Sequence, residues 1–400
     1  MRVGYGRSAD PGLAVRQAVA ALGPSSTSPG LILAFAGGKL DPFAVRAALA
    51  DAFGPTPVVG GSAAGVISRM GTGYSGLEVG LVAFDDPETM PQLVRSEGLD
   101  SDEKSAGAAL GLQVRHAVSD PAAVLMFFDS VASTEPPRLH AASSIVAGFN
   151  EGAGNAPVTL IGGGMLTDMN LTNAWVFDGD GVRKHAAAAL IFPACVEAAS
   201  AILHGCRPVS TFMEITRIEG ATVYELDGQP ALQVIERMLG LPLGGSNGEE
   251  LSLVATLGQK QGDPFAPYDE NSYVNRLILS ANAAQGSITL FEPDFERGAM
   301  VQIMSRDNGL MLDSVRRGVA VVNAAAAQHE ALLGLYIDCA GRASARSGTP
   351  VEEAELVVRG LDARIPLLGF YSGVEVAPFA DQRSRPLDWT GVLTVLRRRR

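Results

Sequence analysis

The residues best suited to chemistry in this sequence lie in Cys339-Ala340-Gly341-Arg342, at the end of a predicted buried strand. A positive charge and a following helix N-terminus lower the pKa of a thiol, which would make Cys339 a nucleophile or a redox sensor. No histidine lies nearby in sequence to serve as its base, and a small buried hydrophobic thiol is the alternative. A Cys339-dependent enzyme is therefore one hypothesis for this chain.

A second group of polar residues, Tyr371, Ser372 and Glu375, occupies a turn near the C-terminus and offers two hydroxyls and a carboxylate. If neighbouring strands pair in parallel, this turn and Arg342 emerge at the same edge of the sheet. We therefore expect Arg342 either to bridge Glu375 or to bind an anionic ligand between them. On this hypothesis Arg342→Ala abolishes ligand binding and leaves the fold intact.

Two glycine-rich segments, Gly60-Gly61-Ser62 and Gly162-Gly163-Gly164, follow apolar runs that predict buried strands. Loops at strand ends commonly line the ligand crevice of α/β proteins, and exposed backbone N–H groups there hold carboxylates or phosphates. Tight packing against a helix is the alternative reason for glycine. We take both segments as candidate ligand-binding turns.

Other motifs exclude several classes of protein. Gly71-Thr72-Gly73-Tyr74-Ser75-Gly76 has the letters of a dinucleotide fingerprint but precedes a strand, so no helix N-terminus follows to meet a pyrophosphate. A P-loop is missing, and the letters G-x-S-x-G occur at 244–248 after a predicted helix, not in the strand–turn–helix context of a nucleophile elbow. The histidines lack the paired spacing of a metal site, although one imidazole would suffice to ligate haem iron. They are His116, His140, His185, His204 and His329.

Three copies of a strand–helix–strand unit are predicted to position these residues. The first has a strand at 31–36, a helix at 42–54 and a strand at 57–67. The second has a strand at 123–129, a helix at 135–148 and a strand at 157–164. The third has a strand at 332–339, a helix at 350–361 and a strand at 365–375. This repetition predicts an α/β fold of layered mixed β-sheets flanked by helices.

Further elements surround the repeats. Apolar periodicity after Asp10-Pro11 predicts a first helix, and residues 77–84 and 391–396 predict strands. The turn Asp178-Gly179-Asp180-Gly181 predicts a hairpin between strands at 175–177 and 188–192. The repeat is interrupted near residue 222 and a glycine-rich stretch follows at 240–248. We therefore predict two domains, residues 1–222 and 223–400.

The composition is that of a folded protein with an acidic surface. Hydrophobic residues make up 47% of the chain, and 43 acidic against 31 basic residues give a net charge of −12. That charge disfavours nucleic acid and anionic membranes as partners, and the basic tail 397–400 is short. The sequence shows neither a signal peptide nor a bilayer span, which predicts a cytoplasmic location. Three cysteines without C-x-x-C spacing favour free thiols, including Cys195 and Cys206.

Six segments resemble, in order, the paired N- and C-terminal domains of the FIST family. They are 58–65, 160–164, Gly205-Cys206-Arg207-Pro208, 226–232, Cys339-Ala340-Gly341-Arg342 and 369–378. The similarity spans nearly the whole chain. Two departures alter the pocket or its ligand: Val374 stands where the family usually has a small residue, and Cys206 where an aromatic residue is common.

The resemblance implies a sensory module of signal transduction that binds a small molecule, such as an amino acid or a small carboxylate, and is not an enzyme. With no residues left over for an output domain, it would act through a partner chain such as a histidine kinase or a cyclase. A haem-binding nitric oxide sensor is the alternative that the family suggests. The candidate ligand-binding residues are the two glycine segments with Arg207, Cys339, Arg342, Tyr371, Ser372 and Glu375.

Overall fold

Four β-sheets of six or more strands, with helices packed against them, make up the fold in the computed structural model. The structure describes residues 1–135, 137–240, 254–381 and 383–399. Of the glycine-rich stretch at 240–248, only Gly240 falls within these ranges. The α/β fold of layered mixed sheets flanked by helices, predicted from the sequence, is confirmed.

The strands of the first half of the chain begin at its second residue. They are β1 (Arg2–Arg7), β2 (Leu31–Gly37), β3 (Val58–Ala63), β4 (Val66–Ser68), β5 (Gly71–Gly73), β6 (Glu78–Phe84), β7 (Gln92–Glu97), β8 (Ala122–Asp129), β9 (Val131–Thr134), β10 (Pro137–Leu139), β11 (Val158–Met165), β12 (Val176–Gly179), β13 (Val182–Arg183), β14 (Ala186–Ile191) and β15 (Val196–Leu203). The second half adds β16 (Arg207–Pro208), β17 (Met213–Glu219), β18 (Thr222–Leu226), β19 (Gln229–Pro230), β20 (Ala255–Lys260), β21 (Tyr273–Asn282), β22 (Ser287–Leu290), β23 (Met300–Ser305), β24 (Glu330–Cys339), β25 (Leu367–Ser372), β26 (Glu375–Pro378), β27 (Ser384–Leu387) and β28 (Gly391–Arg398).

Eight α-helices lie within the described residues. They are α1 (Pro11–Ala21), α2 (Pro42–Phe53), α3 (Glu103–Ala117), α4 (Ala142–Ala153), α5 (Ala231–Leu239), α6 (Asn308–Ala326), α7 (Ser344–Ser347) and α8 (Glu353–Gly360). Asp10 and Asp41 cap α1 and α2, each with a proline in the first turn, as the Asp-Pro pairs predict. None of the helices within the described residues is both long enough and apolar enough to cross a membrane.

The three predicted strand–helix–strand units are present, each with its two strands side by side and parallel. Strand β2 pairs with β3, β8 with β11, and β24 with β25. The units lie in three separate six-stranded sheets, with the orders β1-β6-β2-β3-β12-β13, β27-β26-β11-β8-β14-β7 and β15-β28-β24-β25-β4-β5. In the fourth sheet β17, β18, β22, β21, β20 and β23 pair in a closed ring.

Two predicted elements are wrong. The helix predicted at 135–148 starts only at Ala142, after the hairpin of β9 and β10. Proline lacks the N–H that a helix interior needs, and Pro137 lies in β10 ahead of the helix. Strand β12 turns at the predicted site but pairs with β13, while β14 joins another sheet beside β7 and β8. His185 turns the chain between them with a left-handed φ of 51°.

The two halves of the chain exchange strands. Strand β4 from the first half pairs with β25, and β26 from the second half pairs with β11. Strand β15 pairs along its whole length with β28, from Val196 opposite Arg398 to Leu203 opposite Gly391. Each half therefore completes a sheet of the other. The boundary at residue 222 stays a prediction.

Three phenylalanine rings, one from each repeated unit, pack together where the three sheets meet. Phe35 of β2 stacks on Phe370 of β25 with ring centroids 4.2 Å apart. Phe127 of β8 contacts both rings edge-on, at 5.5 and 6.1 Å. All three side chains are fully buried. Aromatic pairs of this geometry contribute beyond their buried area, so this cluster fixes how the units meet.

Arg69, which follows β4, ties the first half to the end of helix α8 in the second half. Its guanidinium donates to the backbone carbonyls of Val358, Leu361, Asp362 and Ile365 at distances of 2.6 to 3.2 Å. Val358 lies in the last turn of α8, where carbonyls lack partners within the helix and carry partial negative charge, and the other three acceptors follow the helix. Arg69 therefore supplies donors and a favourable charge at this end of the helix.

We expect Arg69→Ala to lower the free energy of unfolding by roughly 2 to 3 kcal/mol, because several partly buried carbonyls lose their donor together. Urea denaturation measures the change. Arg364→Ala is the matched control, since this exposed arginine pairs with Asp362 at the surface, and it should leave the stability close to that of the parent. Equal losses in the two variants would contradict the role given to Arg69.

Candidate functional site

A cleft of about 580 Å³ opens where the two halves of the chain meet. The first half lines it with Arg7, residues 72–75 and Glu78, and the second half with Ser344, Glu352 and Glu355. The β4–β5 hairpin, whose first strand is added to the sheet of the second half, brings Tyr74 to this place. The cleft therefore exists only when both halves are assembled.

Glu78 forms the floor of the cleft on the side of the first half and is fully buried. Its carboxylate accepts hydrogen bonds from the backbone N–H groups of Ser75, Gly76 and Leu77, and one from the Ser75 hydroxyl. Arg7 Nε lies 3.6 Å from the same carboxylate. These contacts fix the turn before β6 and leave Arg7, which is exposed, at the rim.

Glu352 forms the opposite wall and connects the cleft to the interior. Its Oε1 accepts a hydrogen bond of 2.7 Å from the hydroxyl of Tyr371, and its Oε2 accepts one of 2.9 Å from the backbone of Ser344. The Tyr74 hydroxyl lies 3.1 Å from Ser344 Oγ, and its ring meets the ring of Tyr371 edge-on at 5.8 Å. A change in the position of the Glu352 carboxylate would therefore alter the hydrogen bond of the buried Tyr371 hydroxyl.

Behind Tyr371 lies a buried ionic cluster centred on Arg342. Its guanidinium donates to Glu353 through Nε, at 3.2 Å, and through Nη2. Nη1 donates to the backbone carbonyls of His204 and Trp389, at 3.2 and 3.0 Å. The hydroxyl of Tyr336 donates to the same oxygen of Glu353 at 2.6 Å. The expected bridge from Arg342 to Glu375 is therefore wrong, because α8 brings Glu353 to the guanidinium first.

Asp338 is a second carboxyl beside Arg342, fully buried, with Oδ1 3.3 Å from Nε. Neither of its oxygens has a partner in hydrogen-bond geometry. Burial, followed by repulsion from Glu353, raises the pKa of Asp338 well above its usual range. A buried net negative charge is costly, which favours the protonated form of Asp338 while Glu353 pairs with Arg342.

Ser372 and Glu375 form a separate contact at the end of β25. The Ser372 hydroxyl lies 3.0 Å from the carbonyl oxygen of Asp338 and 2.5 Å from Glu375 Oε1. A serine hydroxyl has one hydrogen, so it cannot donate to both oxygens. Burial raises the pKa of Glu375 well above its usual range. The Ser372 hydroxyl and the backbone N–H of Thr390 contact the Glu375 carboxyl, so it is held without Arg342.

Cys339 follows Asp338 in register with Ser372, as the predicted parallel pairing requires. Its sulfur is not a thiolate at neutral pH, since burial and the nearby Glu375 raise the pKa of the thiol well above its usual range. Arg342 donates instead to Glu353 and to backbone carbonyls. The activated thiol expected from Arg342 is thus not supported. Cys195, Cys206 and Cys339 are all free.

The two glycine segments lie inside buried strands and not in turns after them, which corrects that part of the prediction. A Cβ on Gly60 would lie 2.2 Å from the carbonyl oxygen of Ala34, and one on Gly162 would lie 2.0 Å from that of Met126. Gly61 and Gly164 are similarly enclosed, while Gly163 pairs with Glu375 and faces Ile337. The Ser62 hydroxyl contacts the backbone of Trp175. Close approach of neighbouring strands accounts for these residues.

Arg207 lies apart from the cleft. Its guanidinium sits over the ring of Tyr268, 4.2 Å from the centroid, and Tyr268 donates a hydrogen bond of 2.6 Å to the carbonyl of Cys206. Of the predicted site residues, the fold brings together Cys339, Arg342, Tyr371, Ser372 and Glu375. Arg207 and the first segment, Gly60-Gly61-Ser62, belong to other contacts.

The buried histidines do not fit haem ligation. His204 Nε2 lies 2.9 Å from the carbonyl oxygen of Glu270, and its Nδ1 accepts a hydrogen bond from the backbone of Cys206. His140 contacts Glu103 through Nδ1 and His185 through Nε2. An axial ligand needs a free ring nitrogen, which neither residue has. Across the described ranges, no three His, Cys, Asp or Glu side chains are placed to hold a metal ion.

No pattern in the sequence indicated that Glu352, Glu353 and Asp338 belong to the site. Two glutamates at the start of a helix are common because they complement the helix dipole, so their pattern predicts nothing further. Asp338 lies in a predicted buried strand. A charged residue there was the one available signal of a buried polar site, since a buried carboxyl needs a partner. Tyr74 lies in a segment that resembles a nucleotide motif, which obscured its contact with Ser344.

The fold and the site define an α/β protein built from two interlocked halves with a cleft between them. Residues 30–229 match the FIST N domain, and residues 231–378 match the FIST C domain. The chain belongs to the FIST family. FIST domains are sensory domains of signal transduction proteins, and the resemblance read from the six sequence segments is confirmed.

Similarity to individual proteins is more distant. An uncharacterized protein of Mycobacterium tuberculosis strain H37Rv is 29% identical over 182 residues, 45% of this chain and 46% of that protein. An uncharacterized protein of Mycobacterium bovis is 28% identical over 187 residues, 46% of each chain. The chain therefore matches about half the length of these relatives. A crystal structure of chorismatase aligns with 98% of this chain and 97% of its own at 9% identity and a TM-score of 0.34, too low to carry an argument.

The contacts of Arg342 change the expected effect of its removal. We expect Arg342→Ala to destabilise the protein by about 3 to 5 kcal/mol, because Glu353 loses its buried partner. The earlier expectation of an intact fold is replaced by this one. Arg346→Ala, an exposed arginine four residues on, is the control and should stay within about 0.5 kcal/mol of the parent. Denaturant unfolding distinguishes the two outcomes, and an unchanged midpoint for Arg342→Ala would refute the structural role.

His204 makes stability depend on pH. Burial lowers the pKa of His204 to about 4 in the folded protein, whereas an unfolded histidine titrates near 6.5. The unfolded state binds more protons between these values, so stability falls as the pH falls from about 6.5 to about 4, by about 3 kcal/mol in total. His204→Asn should remove this part of the acid sensitivity, measured by urea unfolding across that range. The exposed His116→Asn should retain it.

Proposed function

We propose that this chain is a small-ligand-binding sensory protein of signal transduction and that the cleft between its halves is the ligand site. One observation carries the proposal. Glu352 lines the cleft and holds the buried Tyr371 by a hydrogen bond of 2.7 Å. A ligand that contacts Glu352 therefore acts on the ionic cluster behind it. Binding sites of this kind offer a few placed polar groups on a preformed concave surface.

The charges of the cleft favour an amino acid as the ligand. Glu352 and Glu355 line one side, where an ammonium group gains charge-assisted hydrogen bonds. Arg7 is exposed at the opposite rim and can pair with a carboxylate, since the Glu78 carboxylate beneath it is already held by backbone N–H groups. A small carboxylate without an amino group would use Arg7 alone. The paired arrangement therefore favours a ligand that carries both charges.

A ligand at Glu352 would be read out through Tyr371. If the carboxylate turns towards an ammonium group, the Tyr371 hydroxyl loses its acceptor, and a buried hydroxyl without a partner is costly. Tyr371 lies in β25, next to Asp338 in β24, at the junction that joins the halves. We propose that this rearrangement is passed to a separate partner chain, such as a histidine kinase or a cyclase. The protein acts by binding and not by catalysis.

Thermal unfolding in the presence of single amino acids and small carboxylates tests the proposal. A ligand at a hundred times its dissociation constant should stabilise the parent by about 2.7 kcal/mol. Glu352→Gln should weaken binding about 10- to 100-fold, because it removes one charge-assisted hydrogen bond. Glu296→Gln, an exposed glutamate outside the cleft, is the control and should bind as the parent does.

Two outcomes would contradict the proposed site. In one, no amino acid or carboxylate stabilises the parent. In the other, a ligand binds Glu352→Gln and Glu296→Gln equally well, which would move the site away from the cleft. Arg7→Gln should weaken binding of amino acids and of carboxylates alike, whereas Glu352→Gln should affect amino acids more. That contrast separates recognition of the ammonium group from a general loss of charge.

A further inference from the structure

Two histidines form a hydrogen-bonded pair in the first half of the chain, outside the cleft. His140 Nε2 lies 3.1 Å from His185 Nδ1, and the rings meet edge-on with centroids 5.3 Å apart. The other nitrogen of His140, Nδ1, lies 3.1 Å from Glu103 Oε1. The side chain of His140 is fully buried, and Glu103 is partly exposed. The three side chains therefore form a chain from the first turn of α3 to the residue before β14.

The number of hydrogens that this arrangement can hold is limited. An ionised carboxylate only accepts, so the contact with Glu103 places a hydrogen on His140 Nδ1. The contact between the two rings holds one hydrogen, on either His140 Nε2 or His185 Nδ1. The pair keeps this geometry when it is neutral, and also when it carries one extra proton. A second extra proton would put hydrogens on both facing nitrogens, and the contact would break.

The backbone of His185 depends on neighbouring contacts. Its φ of 51° lies in the left-handed region, which non-glycine residues adopt at a cost. Its N–H donates to Asp129 Oδ2 at 2.8 Å, and the other oxygen of Asp129 accepts from the backbone of Val131 at 2.8 Å. The carbonyl of His185 accepts from Leu99, at 3.0 Å. A strained residue thus links the end of β8, the segment before α3 and the start of β14.

The charged groups around the pair come from three elements. Glu103 from α3 and the buried Asp129 from β8 face it, and both favour added protons. Burial raises the pKa of Asp129, while protonation of either histidine would favour its ionised form. Lys184, the residue before His185, contacts Asn173. The positive charge of the first added proton is therefore offset by the neighbouring acids. The second proton would be added to a ring that contacts one already charged.

We propose that the His140–His185 pair is a second sensory site of this protein, whose ligand is the proton, and that double protonation releases the strained segment at His185. Histidine is the side chain whose ordinary change of charge falls between pH 5 and 8. Breaking the contact between the two rings removes one of the interactions that hold His185. The segment at His185, which links β8, α3 and β14, can then move. The site is independent of the ligand cleft, whose lining contains neither histidine.

Hydrogen–deuterium exchange at about pH 7.5 and about pH 5.5, corrected for the intrinsic effect of pH on exchange, tests this inference. In the parent, residues 129–141 and 183–187 should exchange at least about tenfold faster at the lower pH, while the strands around Phe370 stay unchanged. His185→Asn cannot take up a proton, and asparagine tolerates a positive φ. The pH response of these segments should disappear in this variant. The exposed His116→Asn should respond as the parent does.

The inference is overturned if the two segments of the parent exchange equally at both pH values, or if His185→Asn keeps the parent's response. If the variant does not fold, ring-nitrogen NMR of the parent decides, because coupled histidines titrate in two linked steps. Two independent single-step titrations would refute the coupling. Stoichiometric binding of zinc chloride near neutral pH, lost in His185→Asn, would also overturn it, since the pair would then be a metal site.

Discussion

The buried guanidinium of Arg342 joins parts of the chain that lie far apart in sequence. It holds Glu353 at the start of α8, the carbonyl of His204 after β15 and the carbonyl of Trp389 before β28. Burying such a charge is costly unless its N–H groups find hydrogen-bond partners. The fold supplies these partners from three different segments. The positions of α8, β15 and β28 are therefore mutually dependent. The cleft inherits this constraint, because Glu352 precedes Glu353 on the same segment.

The buried cluster around Arg342 contains more acidic than basic side chains. Asp338, Glu353 and Glu375 lie close to Arg342, and burial raises the pKa of each carboxyl, which favours its neutral form. A neutral carboxyl donates as well as accepts, so a change of protonation here would change the hydrogen bonds of the site. A cluster of fully ionised acid–base pairs would be held in one arrangement by the attraction between its opposite charges. Tyr371, between this cluster and Glu352, is the point at which an event in the cleft meets these hydrogen bonds.

Much of the fold was predictable because its repeated units have strong local signals. Apolar runs, Asp-Pro caps and glycines fixed β2, α2 and β3, and the same logic found β24 and β25. Long-range pairing was not predictable, since no local pattern says that β4 joins β25 or that Glu353 meets Arg342. The glycines at Gly60 and Gly162 were placed in turns after the correct strands and given the wrong role, because close packing and ligand contact select the same residue type. His185 needed its backbone angle, which a sequence does not display.

The order in which the strands are made has a consequence for synthesis. Strand β28, near the C-terminus, lies between β15 and β24, so the third sheet cannot close until residues 391–398 have left the ribosome. Until then β15 and β24 present unpaired edges, which are templates for pairing with other chains. The first half, made earlier, also waits for β26 to cover the edge of β11. This sheet therefore closes only after residue 398 has been made, and a nascent chain that stalls before residue 391 is exposed to aggregation and to chaperones.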